Sequence, residues 1–207
     1  MSGAVIEALR QTSAETVTVV LAGGEEIAAT LNTVTDLRLY RGQELSGGEL
    51  EELRAAAALS LMKRRAVEML SRRSLSSREL YDKLVRKGED PQGAAACVRW
   101  LQDNRLLDDR SYASSIVRHY SAKGYGPARI RSELSRRGIE KDLWDEVLSM
   151  RPDNVDKIDA FIAARLHDPE DRDQVRKVTA ALFRRGFGWD EIRAALSRFR
   201  AEAEYEE

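Results

Sequence analysis

The chain is 207 residues long, 43% hydrophobic and 33% charged but only 6% aromatic, a balance that suits packed helices with a large solvated surface and excludes a large multidomain machine. Cys97 is the lone cysteine, and His119 and His167 lie far apart in sequence, which excludes a disulfide framework or a cysteine-based zinc site and leads us to expect a reducing, cytoplasmic compartment. The formal net charge of −1 conceals its distribution: residues 1–59 carry 4 basic and 9 acidic groups, residues 60–140 carry 18 and 10, and residues 141–207 carry 12 and 16, so a basic middle lies between acidic ends.

The first residues, MSGAVIEALRQTSAE, lack the basic start and apolar run of a secretory signal. No stretch approaches the ~18 apolar residues of a membrane span, so no membrane association is expected. Thr16–Leu21 is a β-branched run, followed by Ala22-Gly23-Gly24 and then Glu25–Thr33, which predicts strand, turn and strand, with a third short strand near Leu37–Tyr40. Gly42, Ser46 and Gly47-Gly48 end this piece, and Glu49 onward predicts helix, with acids in its first turn.

From residue 49 the punctuation is helical, and it repeats. Leu84-Val85-Arg86-Lys87-Gly88, Leu134-Ser135-Arg136-Arg137-Gly138 and Leu182-Phe183-Arg184-Arg185-Gly186 share a leucine, a basic pair and a glycine, the glycines lying 50 and 48 residues apart. Leu80, Ile130 and Val178 stand eight residues before each glycine. The spacing predicts an amphipathic helix closed by a left-handed glycine cap, with a further helix after it. Upstream patterns at Leu59, Met62, Ala66, Met69 and Leu70, at Tyr112, Ile116 and Tyr120, and at Ile158, Phe161, Ile162 and Leu166 supply a first helix for each unit. Ser76 or Ser77, Asp108 or Asp109, and Gly126-Pro127 are the expected helix starts.

The expected fold is mainly α: three tandem three-helix repeats in an elongated stack behind a small β-rich N-terminal extension. The division is residues 1–48 for the extension, 49–107 for a linker helix and the first repeat, 108–151 for the second, and 152–207 for the third with an acidic tail.

Nothing in the chain assembles a nucleophile, a base and an orienting group, so no enzyme activity, cofactor or metal is expected. Asp108-Asp109 reads as a helix start rather than a catalytic pair, and Gly124-Tyr125-Gly126, without a following Gly-Lys-Ser/Thr, reads as a turn rather than a phosphate loop. Trp100, Trp144 and Trp189, with Tyr81, Tyr112, Tyr120 and Tyr125, are assigned to packing rather than to base stacking, and Met62 and Met69 lie on an apolar stripe.

The basic pairs admit two readings. Cations at a helix C-terminus complement its dipole by ~0.3 to 1 kcal/mol each. Their accumulation in the middle of the chain, at Arg72, Arg73, Arg86, Lys87, Arg129, Arg131, Arg136 and Arg137, also suits partner binding to acidic protein or to DNA phosphate. Arginine outnumbers lysine 27 to 7, which favours bidentate binding of carboxylate or phosphate and follows equally from genome composition.

Ser76–Gly88 (SSRELYDKLVRKG), Leu107-Asp108-Asp109 with Tyr112-Ala113, Gly124-Tyr125-Gly126 with Arg129-Ile130 and Glu133-Leu134, and Arg137-Gly138-Ile139 follow one another in an order that resembles the bacterial RecX regulatory family. The resemblance is strongest over residues 60–150, is looser around Phe187-Gly188, and matches the N-terminal strands to the extension of longer members. It implies a non-enzymatic modulator of the RecA recombinase in DNA repair, homologous recombination and the SOS response, lying along the RecA filament on single-stranded DNA and inhibiting ATP hydrolysis and strand exchange. The expected partner is the RecA filament, with contact to the DNA phosphate backbone left open, and a monomer is expected. The alternative is a helix-turn-helix transcription regulator, against which the helix after Gly138 offers Leu143, Trp144, Val147 and Leu148, mostly core residue types. A generic helical scaffold is a third reading.

Overall fold

A computed structural model describes residues 3–205. They form two compact units, one of the residues through Ser74 with Leu80–Leu107, the other of Leu75–Glu79 with the residues from Asp108 onward.

In the first unit, β1 (Ala4–Gln11), β2 (Thr16–Leu21), β3 (Glu26–Thr30) and β4 (Glu44–Leu45) make an antiparallel sheet in the order β3-β2-β1-β4. The strand expected over Glu25–Thr33 is shorter than its pattern. The Thr30 hydroxyl accepts from the Thr33 amide and turns the chain into a short helix, α1 (Leu31–Asp36). The strand expected at Leu37–Tyr40 is absent; a turn stands there, and β4 takes the edge beside β1 instead. Strand β1 carries little strand signal of its own, since Ala-Val-Ile-Glu-Ala-Leu-Arg-Gln alternates poorly; pairing on both edges holds it.

The following helix begins at Gly47. Ser46 is its N-cap, the Ser46 side chain accepting from the Glu49 amide while the Glu49 carboxylate accepts from the Ser46 amide. This helix, α2 (Gly47–Arg72), runs unbroken, so the expected linker helix and the first helix of the first repeat are one element. Leu50, Leu53 and Ala57 close the sheet core with Ile6, Val19 and Leu21, and Met62 and Ala66 bury further along the same helix. The helices α3 (Ser77–Arg86) and α4 (Pro91–Asp103) complete the first set of three.

The second unit holds α5 (Asp109–Ala122), α6 (Pro127–Arg136) and α7 (Trp144–Ser149), the last preceded by a 3-10 turn at Lys141–Leu143, and then α8 (Val155–Ala163), α9 (Arg172–Arg184) and α10 (Trp189–Tyr205). Each set buries its own cluster: Ala113, Ile116, Val117, Ile130, Leu134 and Val147 in one, Ile158, Ile162, Val178, Leu182 and Ile192 in the other. Leu84, Leu134 and Leu182 are fully buried, as the glycine register requires. Trp144 packs on its cluster and donates its indole N–H to the Ile139 carbonyl at 3.0 Å.

Candidate functional site

The three basic-pair glycines end their helices identically. The Glu89, Ile139 and Phe187 amides donate to the Leu84, Leu134 and Leu182 carbonyls at 3.2, 3.0 and 3.2 Å, and the Gly88, Gly138 and Gly186 amides donate to the Val85, Ser135 and Phe183 carbonyls. This is the six-to-one and five-to-two pairing of a Schellman cap.

Within the second unit two of these caps are also junctions. The Ser76 hydroxyl, at the start of α3, donates to the Arg137 carbonyl at the end of α6. One repeat on, the Gly126 amide at the start of α6 donates to the Arg185 carbonyl at 2.9 Å, and the Ala128 amide donates to the Gly186 carbonyl at 3.0 Å. The negative end of each signature helix thus meets the positive start of the one before it. Glycine is required for space as well as for angle: Gly186 has φ +90°, and a Cβ there would collide with the Arg129 amide nitrogen; at Gly138, φ +67°, it would lie 2.8 Å from Arg78 Cβ.

The junction engages two of the cations expected to face a partner. Arg137 donates to the Glu133 carboxylate at 2.7 Å and to the Tyr112 hydroxyl at 2.6 Å, and lies 3.9 Å from Glu79. Arg136 donates to the same carboxylate at 2.6 to 2.9 Å, although its side chain is 66% exposed. Burial alone would raise the Glu133 carboxyl, whose side chain is 6% exposed, but the hydrogen bonds from Arg136 and Arg137 outweigh it and hold the group below the usual range. Arg185 is likewise turned inward, donating to the Gly124 carbonyl at 3.3 Å and lying over the Phe161 ring at 4.7 Å.

Arg72 and Arg73 close α2, and Arg86 and Lys87 close α3, all four exposed and all in the first unit. Arg73 donates to the Ser74 carbonyl at 3.0 Å and Arg86 to the Asp82 carbonyl at 3.1 Å. In the second unit Arg129 and Arg131 are exposed on α6, Arg129 over the Tyr125 ring at 5.9 Å and Arg131 3.7 Å from Asp145. They sit about 200° apart around the helix, so one flat surface does not take both head-on. The structure brings Arg136 and Arg137 together on Glu133 and leaves the other six exposed. The one signal for that split was Glu133 itself, three and four residues ahead of the pair.

The Asp108 carboxylate caps α5 by accepting from the Ser111 amide at 3.0 Å, while Asp109 accepts from the Ser77 amide at 2.8 Å, tying α5 to the start of α3. Burial raises the Asp109 carboxyl, with Asp108 and Glu79 adding to the effect against the Ser77 hydrogen bond. Cys97 is buried, and burial pushes its thiol up to about 11, away from the thiolate a nucleophile needs. Among the described residues no helix is long and apolar enough to cross a membrane. Trp189 departs from the packing assigned to it: it stands 53% exposed at the start of α10.

Residues 108–148 match the family model described as RecX, second three-helix domain, and residues 163–196 match the one described as RecX, third three-helix domain. The chain is 37% identical over 141 residues to the regulatory protein RecX of Xanthomonas axonopodis pv. citri (strain 306), covering 67% of this chain and 86% of that one. It is 36% identical over 148 residues to the regulatory protein RecX of Halorhodospira halophila, covering 69% and 91%. A crystal structure of regulatory protein RecX superposes with a TM-score of 0.72 at 22% identity, over 91% of this chain and 96% of the other, showing the same fold. With its two family domains in register and this identity over most of its relatives' length, the chain belongs to the RecX regulatory protein family.

Proposed function

We propose that this protein binds the RecA recombinase filament on single-stranded DNA and lowers its ATPase and strand exchange, acting in the cytoplasm without catalysing a reaction of its own. The observation that carries the reading is the family membership, through tandem three-helix repeats whose signature helices join end to start. Such repeats present a regular series of similar surfaces, which suits a polymer of identical subunits. Arg72, Arg73, Arg86, Lys87, Arg129 and Arg131 are the cations that meet acidic RecA surface or DNA phosphate; Arg136 and Arg137 contribute through the fold they hold together.

The transcription-regulator alternative loses support in the second repeat. The short α7 turns Val147 into the core, Trp144 and Leu148 pack on the same cluster, and its first turn carries Asp145 and Glu146, which repel phosphate. The test is RecA ATPase on single-stranded DNA with increasing amounts of this protein. Falling turnover, with no nucleotide hydrolysis by the protein alone, is the expected result; unchanged turnover at saturation refutes the proposal.

A further inference from the structure

The third repeat carries a surface that the basic segment does not account for. A groove of about 620 Å³ runs between α9 and α10. Phe183 and Trp189 stand at one end, 47% and 53% exposed, stacked with ring planes 5° apart and centroids 6.1 Å apart. Arg172, Arg176 and Arg200 line the other, with Val175 between. Arg172, Val175, Arg176 and Phe183 recur at helical spacing on one face of α9, while Val178 and Leu182 turn into the core on another.

The fold does not demand this surface. Counted from the cap glycines, Phe183 and Trp189 hold the places of Ser135 and Lys141 in the second repeat, and both of those are exposed. The same helical frame therefore closes with polar side chains there. A lone surface apolar group needs no explanation, but two stacked rings in a groove beside three arginines have the aromatic and arginine composition of a binding hot spot.

We infer that this groove docks a segment of a protein partner that offers one apolar side chain to Phe183 and Trp189 and carboxylates, about three helical turns further on, to Arg172 and Arg200. The inference rests on the proposed function: the partner is a RecA subunit, and the groove is a contact additional to the basic segment. Nucleic acid suits the groove less well. Glu170 lines it, and Asp173 pairs with Arg176 at 3.0 Å, which interrupts the cationic track a phosphate backbone follows but leaves Arg172, and Arg200 beside its 3.5 Å hydrogen bond to the Pro169 carbonyl, for single carboxylates.

The experiment compares the full chain with the double variant Phe183→Ser, Trp189→Lys, which carries the second repeat's own residues, and with Arg172→Glu, Arg200→Glu. Each is melted first, then titrated into RecA ATPase and cosedimented with RecA filaments on single-stranded DNA. The concentration for half-inhibition is expected to rise tenfold or more for both variants, with cosedimentation falling in parallel. A folded variant of either kind that inhibits as well as the natural chain overturns the inference and leaves the proposed function standing; a natural chain that never inhibits overturns the function itself. Binding of a labelled thymidine oligonucleotide without RecA, lost with Phe183 and Trp189, overturns the inference in favour of nucleic acid. A dimer in sedimentation that the aromatic variant dissolves overturns it in favour of a second copy.

Discussion

Ser76 donates its hydroxyl proton to the backbone carbonyl of Arg137, 61 residues further along the chain. The same hydroxyl accepts from the Glu79 amide at 3.0 Å, so one side chain both starts α3 and receives the end of α6. Gly126 and Arg185 repeat the relationship through a backbone amide. Repeat proteins of this kind derive their stability from such neighbour interfaces as much as from each unit.

Removing a buried leucine tests the register. Leu84→Ala, Leu134→Ala and Leu182→Ala are each expected to cost about 2 to 5 kcal/mol in denaturant unfolding, because each site is fully enclosed. Ser135→Ala, next to one of them but exposed, should leave the midpoint nearly unchanged.

The cap glycines should rank by their surroundings. Gly88, Gly138 and Gly186 all have positive φ, so alanine at any of them strains the backbone by about 1 to 2 kcal/mol. Nothing lies within 4 Å of a Cβ at Gly88, whereas at Gly186 it meets the Arg129 backbone. Urea midpoints should therefore fall least for Gly88→Ala and most for Gly186→Ala. Equal losses would mean that the caps, not the junctions, set the penalty.

The buried Glu133 carboxyl and the half-buried Asp109 carboxyl should respond to pH with opposite sign. Glu133 sits below its ordinary range in the folded state, so its contribution is complete above the unfolded carboxyl range and is lost as pH falls through the folded value. Asp109 sits above its ordinary range, so its ionisation works against the fold as pH rises through the folded value. Thermal melts across pH 3 to 7 should show Glu133→Gln destabilising most at neutral pH and flattening the acid loss. Asp109→Asn should be neutral or stabilising at neutral pH, because the substituted side chain keeps an amide oxygen that accepts from the Ser77 amide.

Charge reversal separates the basic pair at the end of α3 from the pair that holds Glu133. Arg86→Glu with Lys87→Glu removes helix-end charges worth ~0.3 to 1 kcal/mol each and should leave a folded protein that inhibits RecA less well, with steeper loss at low salt. Arg136→Glu with Arg137→Glu strands Glu133 among like charges and should cost about 3 to 5 kcal/mol. If the second pair melts like wild type, the Glu133 cluster holds nothing together.

The linear pattern determined much of this protein. Four-residue spacing before each glycine placed Leu84, Leu134 and Leu182 in the core, because a helix face repeats with that period and only the buried face needs apolar residues. The glycine after each basic pair announced a left-handed cap, which few other residues adopt. Tertiary structure decided what local pattern cannot carry. It turned Arg137 and Arg185 inward while leaving Arg86 and Lys87 in water: Arg137, besides Glu133 on its own helix, meets the Tyr112 hydroxyl from α5, and Arg185 meets the Gly124 carbonyl and the Phe161 ring. It made Ala4–Gln11 a strand between two others, and it left Trp189 stacked on Phe183 at the surface, where sequence alone assigned the ring to packing. Helical period says which face of a helix is apolar; only the packed neighbours decide whether a second apolar or charged face is covered, paired or left open to a partner.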